Sequence, residues 1–118
     1  MNEFNLNHKS IEDINIIELK GYLDAHTAPK LENAISNLMN SNQYKIVVNF
    51  SELDYISSAG LGVFMAFIET VRNNGGDIKF SAMNEKIYKI FDLIGFPKIY
   101  EFYKSDEEAI QRFKSSEK

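Results

Sequence analysis

Two serine hydroxyls stand side by side at Ser57 and Ser58, shortly before Gly60 and Gly62 in the segment Leu53–Phe64. Serine is favoured just before a helix, where its hydroxyl can cap an unpaired backbone N–H group, and either serine could open the helix predicted here. The free N–H groups of a helix start also favour a nearby anion, including a phosphate carried by one of these serines. The pattern therefore predicts a helix cap, and it also fits a regulatory or catalytic hydroxyl.

The two glycines favour the functional interpretation of this segment. A glycine inside a helix costs about 1 kcal/mol relative to alanine, so a requirement other than helix stability favours Gly60 and Gly62. Without side chains, they let another protein approach the backbone of the first turn closely. The segment also follows an apolar strand, and binding sites of open parallel sheets gather at the carboxyl ends of strands.

The helix that follows the serines is apolar over most of its circumference. Val63 and Phe67 are apolar in addition to the predicted inward stripe, and a helix that is apolar nearly all round is usually buried. The alternative is that Val63 or Phe67 reaches a partner beside Ser58, because interface cores favour phenylalanine and methionine. The predicted inward stripe consists of Leu61, Phe64, Met65, Ile68 and Val71.

The chain begins with a predicted hairpin and a helix. Alternating residues from Phe4 to His8 predict a first strand, and Ile14 to Leu19 predict a second. Gly21 permits a sharp exit from that strand. A first helix with Pro29 in its first turn ends in Asn40-Ser41-Asn42. Its candidate capping residues are Asp24, His26 and Thr27.

Strands and helices continue to alternate along the rest of the chain. The apolar runs Ile46–Phe50, Ile78–Phe80 and Ile99–Phe102 predict three further strands. A third helix begins at Asn84, and a closing helix begins near Ser105. Their inward residues are Ile87, Ile90, Phe91 and Ile94 in the third helix and Ala109, Ile110 and Phe113 in the closing one.

This alternation predicts an α/β fold, because each parallel crossover needs a helix. We expect a single domain with a mostly parallel central sheet, an N-terminal antiparallel hairpin and about four packed helices. The 118 residues suffice for one domain, predicted over residues 1–113, with residues 114–118 as a frayed helix end.

Composition argues against several classes of partner. The net charge is −4 and the lysines are spread singly, so no basic stripe is available to bind a nucleic acid. No apolar run is long enough to cross a bilayer, and the N-terminus carries no signal segment. We therefore expect no direct membrane insertion and a cytoplasmic location.

Other chemistries lack the residues that they need. The absence of cysteine excludes disulfides and thiolate catalysis, and neither His8 nor His26 has a spaced partner for a metal site. The glycine pair lacks the third glycine of a dinucleotide loop. Ser58 is not in a nucleophile elbow and has no histidine placed as its base. We expect neither an enzyme nor a bound metal or cofactor.

Three segments together resemble the STAS domain family, which includes anti-sigma factor antagonists and the cytoplasmic tails of sulfate transporters. The first is Ser57-Ser58-Ala59-Gly60-Leu61-Gly62. The second is Gly21-Tyr22-Leu23-Asp24 followed by Ala28-Pro29, and the third is Ile87–Phe96. They occur in the order found in the family and cover almost the whole chain.

The resemblance implies a switch at the start of the second helix. By position, the phosphorylated serine is Ser58, and Ser57, which stands where many relatives carry aspartate, is a competing acceptor. Asp24 matches a family acid that lies near the phosphorylation site. The implied partner-binding residues are Asp24, Ser57, Ser58, Ala59, Gly60, Leu61, Gly62 and Val63.

The implied function is that of an anti-sigma factor antagonist. Soluble family members bind an anti-sigma factor that is also a serine kinase, and so free the sigma factor. The kinase phosphorylates the serine and ends productive binding, and a serine/threonine phosphatase of the metal-dependent type restores it. One alternative is a STAS subunit of a membrane transport complex that docks without phosphorylation. Another is a small nucleotide-binding protein or enzyme with its phosphate site at the second helix.

Overall fold

The computed structural model describes residues 3–115, which form five strands, four helices and a short 3-10 turn. The elements are β1 Phe4–Ile11, β2 Ile14–Leu23, α1 Ala28–Asn40, β3 Lys45–Ile56, α2 Ser58–Asn73, β4 Asp77–Ser81, α3 Glu85–Leu93, the 3-10 turn Phe96–Lys98, β5 Phe102–Tyr103 and α4 Asp106–Ser115. The strands lie in chain order in one sheet, with β1 and β2 antiparallel and all later pairs parallel. The predicted fold class is confirmed. Among the described helices, none has the length and apolarity needed to span a bilayer.

Helices α1, α2 and α3 cover one face of the sheet, and α2 and α3 pack there through a cluster of phenylalanine rings. Phe50 and Phe80 lie on the strands, whereas Phe64 and Phe91 come from α2 and α3, and all four are fully buried. The ring centroids of Phe64 and Phe80 are 5.0 Å apart, and those of Phe50 and Phe80 are 5.2 Å apart. Such tilted ring pairs are favourable beyond their buried area. They hold α2 against the middle of the sheet.

The opposite face of the sheet is covered by α4 and carries more polar residues. The predicted inward side chains Ala109, Ile110 and Phe113 pack against Ile14, Ile16 and Val47. Lys79, only 5% exposed, forms ion pairs with Asp77 at 3.0 Å and Glu101 at 2.8 Å. The hydrogen bond from the Lys79 ammonium, followed by that from Tyr103, holds the pKa of Glu101 below its usual range.

The hairpin strand β2 is longer than predicted. Gly21 was expected to end the strand, but β2 continues to Leu23 with Gly21 inside it at φ +92°. A side chain there is also excluded by space, since a Cβ on Gly21 would lie 1.9 Å from the carbonyl oxygen of Glu3. The glycine therefore permits a close approach of β1 rather than an exit.

The predictions for β3 and β5 differ from the structure in length and position. The apolar run Ile46–Phe50 is only the first half of β3, because pairing with β2 continues as far as Leu23 opposite Ile56. The last strand is only Phe102–Tyr103, because the N–H groups of Ile99 and Tyr100 donate to the carbonyl of Phe96 and keep both residues in the turn after the 3-10 segment, with Ile99 49% exposed.

Two residues predicted to point inward face solvent instead. Met65 of α2 is 59% exposed, and Ile94, which follows the last residue of α3, is 51% exposed. Of the predicted frayed end, Lys114 and Ser115 continue α4, whereas residues 116–118 lie outside the described residues.

Candidate functional site

The start of α2 lies where two neighbouring strands end. Leu23 and Ile56 are paired at the carboxyl ends of β2 and β3, and the N–H of Ser57 donates to the carbonyl of Leu23 at 2.9 Å. The residues that follow these strands, Asp24 and Ser58, are therefore brought to the same edge of the sheet. This is the edge at which parallel sheets place their binding sites.

Ser57 is the N-cap residue of α2 but does not cap the helix with its side chain. Its backbone is extended, with φ −99° and ψ 173°, as is usual for an N-cap. However, its hydroxyl makes no capping hydrogen bond. Ser57 Oγ is buried and has no hydrogen-bond partner within residues 3–115. This hydroxyl is thus withdrawn from solvent and from any enzyme that would modify it.

Ser58 is the first residue of α2, and its side chain is exposed. The first turn of the helix contains no acidic residue. The N–H groups at this helix start therefore have neither a capping side chain nor a nearby carboxylate of the same turn, and they favour an added anion. Of the two predicted acceptors, Ser58 is the one whose hydroxyl another protein can reach.

The two glycines of the first turns occupy different environments. Gly60 is buried, and a Cβ there would lie 2.8 Å from Leu23 Cγ and 3.0 Å from Ile56 Cγ1. Gly62 is exposed, and a Cβ there would have no neighbour within 4 Å. Gly60 thus lets α2 begin directly on the strand ends, whereas Gly62 leaves the outer surface of the helix free of side chains.

Asp24 is held in the turn before α1 by one of its two carboxylate oxygens. Asp24 Oδ1 accepts hydrogen bonds from the backbone N–H groups of His26 at 3.0 Å and Thr27 at 3.1 Å. Thr27 Oγ1 in turn accepts from the Asp24 N–H at 2.9 Å, so its hydroxyl stabilises this turn and does not cap α1. The carboxylate of Asp24 is half-buried and fixed in orientation.

A shallow groove between α1 and α2 adjoins the exposed serine. Its wall from α2 includes Ala59 and Gly62, and its wall from α1 carries Glu32, the only ionisable group among its lining residues. Val63 lies at the bottom of the groove and is 7% exposed, while Phe67 is half-buried against the core. The complete lining is Ala25, Ala28, Pro29, Glu32, Ala59, Gly62, Val63 and Ala66.

The predicted partner-binding residues therefore fall into three groups. Ser58 and Gly62 are exposed, and Asp24, Ser57 and Ala59 are half-buried. The remaining three are buried; they are Gly60, Leu61 and Val63. Their contact with a partner stays a prediction. Within residues 3–115, no group of three or more histidine, aspartate and glutamate side chains is placed to hold a metal ion.

Sequence reasoning missed two features around the site. Tyr22 and Tyr55, to which it assigned no role, form a ring pair with centroids 5.5 Å apart just before Leu23 and Ile56. The sequence pattern that could have indicated this pair is that each tyrosine stands one residue before the buried last residue of its strand. Lys86 of α3 donates to the carbonyl of Asp54 at 3.0 Å, which ties α3 to the same loop.

Comparison with known proteins identifies a family and several similar proteins. The profile of the STAS domain family matches residues 5–109. An anti-sigma-B factor antagonist of Staphylococcus epidermidis is 29% identical over 93 residues, which cover 77% of this chain and 86% of that protein. The anti-sigma-B factor antagonist of Bacillus subtilis is 25% identical over 91% of this chain and 97% of its own length. The anti-sigma factor antagonist SpoIIAA, in its unphosphorylated form, superposes with a TM-score of 0.83 at 21% identity and covers 97% of this chain and 100% of its own.

Proposed function

The chain belongs to the STAS domain family, and we propose that it acts as an anti-sigma factor antagonist whose binding is switched off by phosphorylation of Ser58. The two relatives named above are called anti-sigma-B factor antagonists, which supports the antagonist role, and each aligns along most of its length. In this proposal the unmodified protein binds an anti-sigma factor and frees the sigma factor held by it. The anti-sigma factor is also the serine kinase that acts on Ser58, and a metal-dependent serine/threonine phosphatase reverses the modification.

The observation that carries the proposal is the difference between the two adjacent hydroxyls. Ser58 is exposed at the first position of α2, whereas Ser57 Oγ is buried without a partner. Phosphoryl transfer requires the acceptor oxygen to enter the kinase active site in line with the leaving group. The exposed position of Ser58 supports it as the acceptor with the helix in place, whereas the buried hydroxyl of Ser57 would first have to become exposed.

A phosphate on Ser58 would change the surface without refolding the protein. It would add about −1.5 to −2 charges beside the unpaired N–H groups of α2, where the helix dipole favours an anion. The modified protein would therefore remain folded. A partner seated on Ser58 and Gly62 would have to expel or desolvate the phosphate, and every 1.4 kcal/mol lost in this way weakens binding about tenfold.

The direct test measures binding of the cognate anti-sigma kinase to three variants by calorimetry. Ser58→Ala should bind like the unmodified protein and no longer lose affinity when Mg-ATP is added. Ser58→Asp should bind at least about tenfold more weakly. Ser57→Ala is the matched control, and it should keep both binding and its response to Mg-ATP.

Phosphate transfer and peptide mapping provide the second half of the test. Incubation with the kinase and Mg-ATP should place one phosphate on the peptide that contains Ser58, and Ser58→Ala should accept none. Equal affinity of Ser58→Ala and Ser58→Asp for the kinase would overturn the switch. Phosphate found on Ser57 would overturn the choice of acceptor. Co-purification with a transport complex, unaffected by Ser58→Ala, would point to a docking subunit instead.

A further inference from the structure

The outer edge of β1 is an open sheet edge, and it is much longer than the edge on the opposite side of the sheet. β1 spans Phe4–Ile11 at one end of the strand order, and no described residue pairs with its outer side. The opposite edge of the sheet is formed by β5, which has only two residues. Natural proteins usually protect long edges with prolines, bulges or a covering element. The described part of β1 has no proline, and its register with β2 is unbroken from Phe4 to Ile11.

Backbone geometry shows which residues of β1 offer hydrogen bonds to the outside. The carbonyl of Glu3 accepts from the N–H of Tyr22 at 2.9 Å, so the backbone groups of Glu3 point toward β2. The polar groups of successive strand residues alternate in direction. The N–H and C=O groups of Phe4, Leu6, His8 and Ser10 therefore point away from β2 and are available to another strand.

A groove runs beside this edge on the face covered by α1. It consists of two adjoining depressions that share Ala34 and Asn37 of α1. Leu6 and His8 of β1 contribute to its other wall, and Leu6 packs partly against the core. A strand added to β1 would have room for its side chains on this face.

We propose that β1 pairs antiparallel with β1 of a second copy of this chain, on a two-fold axis through Leu6. A two-fold axis perpendicular to the sheet leaves each sheet face on the same side in both copies. Because odd- and even-numbered side chains lie on opposite faces, an odd-numbered residue can lie opposite only an odd-numbered residue of the other copy, and an even-numbered residue only opposite an even-numbered one. The axis can therefore pass through Asn5, Leu6, Asn7 or His8, and the side chains distinguish between these registers.

Charge complementarity selects the register centred on Leu6. In this register Glu3 lies opposite Lys9 of the second copy twice, once on each side of the axis, and cross-strand pairs of opposite charge are favourable. Centred on Asn5, Asn7 or His8, neither Glu3 nor Lys9 faces the other. Glu3 has no ion pair within residues 3–115, whereas the Lys9 ammonium lies 3.2 Å from Glu18 and is half-exposed.

The apolar face agrees with the same register. Leu6 meets Leu6 of the second copy and can exchange both outward backbone hydrogen bonds with it. Phe4 lies opposite His8, and on the other face Asn5 lies opposite Asn7. The two copies would thus continue one sheet across the axis, and the exposed start of α2, at the end of β3, would remain free in both.

A cysteine pairing experiment tests the register in the intact chain. The chain has no cysteine, so single variants give a clean background. Asn5→Cys labelled with ¹⁵N is mixed with unlabelled Asn7→Cys under mild oxidation, and mass spectrometry counts the mixed and the matched disulfides. The proposal predicts that mixed disulfides dominate, because Asn5 faces Asn7 across the axis. A statistical mixture, or an excess of either matched disulfide, would overturn it.

Sedimentation equilibrium tests the association itself. The apparent mass of the unmodified chain should rise with concentration from 13.6 kDa toward twice that value. Glu3→Lys and Lys9→Glu should each raise the dissociation constant severalfold, and the combined variant should recover the original value. Lys104→Glu, which changes charge away from the edge, is the matched control. A monomer at every concentration, or no recovery in the combined variant, would contradict the proposal.

Discussion

The helices α2 and α3 both start after a residue suited to capping, but their starts are built differently. Asn84 precedes α3, and its side-chain oxygen accepts a hydrogen bond from the N–H of Ile87 at 2.8 Å. Ser57 precedes α2, and its hydroxyl makes no such bond. The first turn of α3 also contains Glu85, whereas the first turn of α2 contains no acid.

The difference separates a structural helix start from one that is kept open. At α3 the Asn84 cap pairs with one N–H group and the Glu85 carboxylate complements the helix dipole, so the start contributes stability. At α2 the same groups stay unpaired beside an exposed Ser58, which forgoes that stability and leaves room for an added phosphate. Four substitutions test this difference between the two helix starts, and the effect of each is measured as a free energy of unfolding in urea.

The largest effect is expected for Gly60→Val. The Cβ would approach Leu23 and Ile56 within 3.0 Å, and two further methyl groups would lift α2 from the strand ends. Overpacking of this kind costs about 1–3 kcal/mol. Gly62→Val is the matched control, and it should not destabilise the protein, since nothing lies within 4 Å of its Cβ. If Gly62→Val lowered the stability as much, the loss of the glycine's backbone flexibility, rather than overpacking, would explain the cost.

Asn84→Ala should cost about 1 kcal/mol, because it removes the hydrogen bond that caps α3. Asn84→Ser, which can restore a capping oxygen, should recover most of the loss. If the alanine variant were as stable as the original protein, the Asn84 cap would not stabilise α3, and the two helix starts would not differ in this respect.

Ser58→Asp should raise the free energy of unfolding by about 0.3–1 kcal/mol at low salt, because it places a carboxylate at the dipole of an uncapped helix start. The gain should shrink in high salt, which screens exposed charges. Ser58→Asn is the uncharged control of similar size. A gain of equal size for the asparagine variant would show that charge is not the cause.

The smallest effect is expected for Ser57→Ala, with a change within about 0.5 kcal/mol or a slight gain in stability. A working cap would lose about 0.5–2 kcal/mol on the same substitution. Here the alanine removes a buried hydroxyl that has no partner, and an unpaired buried polar group is itself unfavourable. A loss near 2 kcal/mol would show that Ser57 caps α2 in solution.

Most of the fold could be predicted from the sequence because the relevant signals are local. The cap at Asn84, Pro29 in the first turn of α1 and the apolar stripe of α4 all act within a few residues. The length of β3 could not be predicted in this way. Its second half has the exposed positions Glu52 and Asp54, and it remains a strand because β2 pairs with it.

The sequence located the candidate site, but packing decides which side chains of α2 face the core and which face solvent. The inward stripe predicted for α2 included Met65, which is exposed, and left Val63 open between core and partner, although it is buried against α1. The rotation of α2 about its axis is fixed by the contact of Gly60 with Leu23 and Ile56. Periodicity cannot supply that rotation when nearly every side of a helix is apolar.

The amino-acid sequence is enough to predict the order of the elements, the position of two serines at a helix start and the absence of side chains at Gly60 and Gly62. These follow from residue types and short spacings. The packing of α2 on the sheet was needed to show that Ser58 faces solvent while the hydroxyl of Ser57 is buried. It was also needed to show that Gly60 lies against the strand ends while Gly62 faces open space. The reason is that exposure at a helix start depends on how the helix docks on strands that are distant in the chain, and adjacent residues of one helix point in different directions.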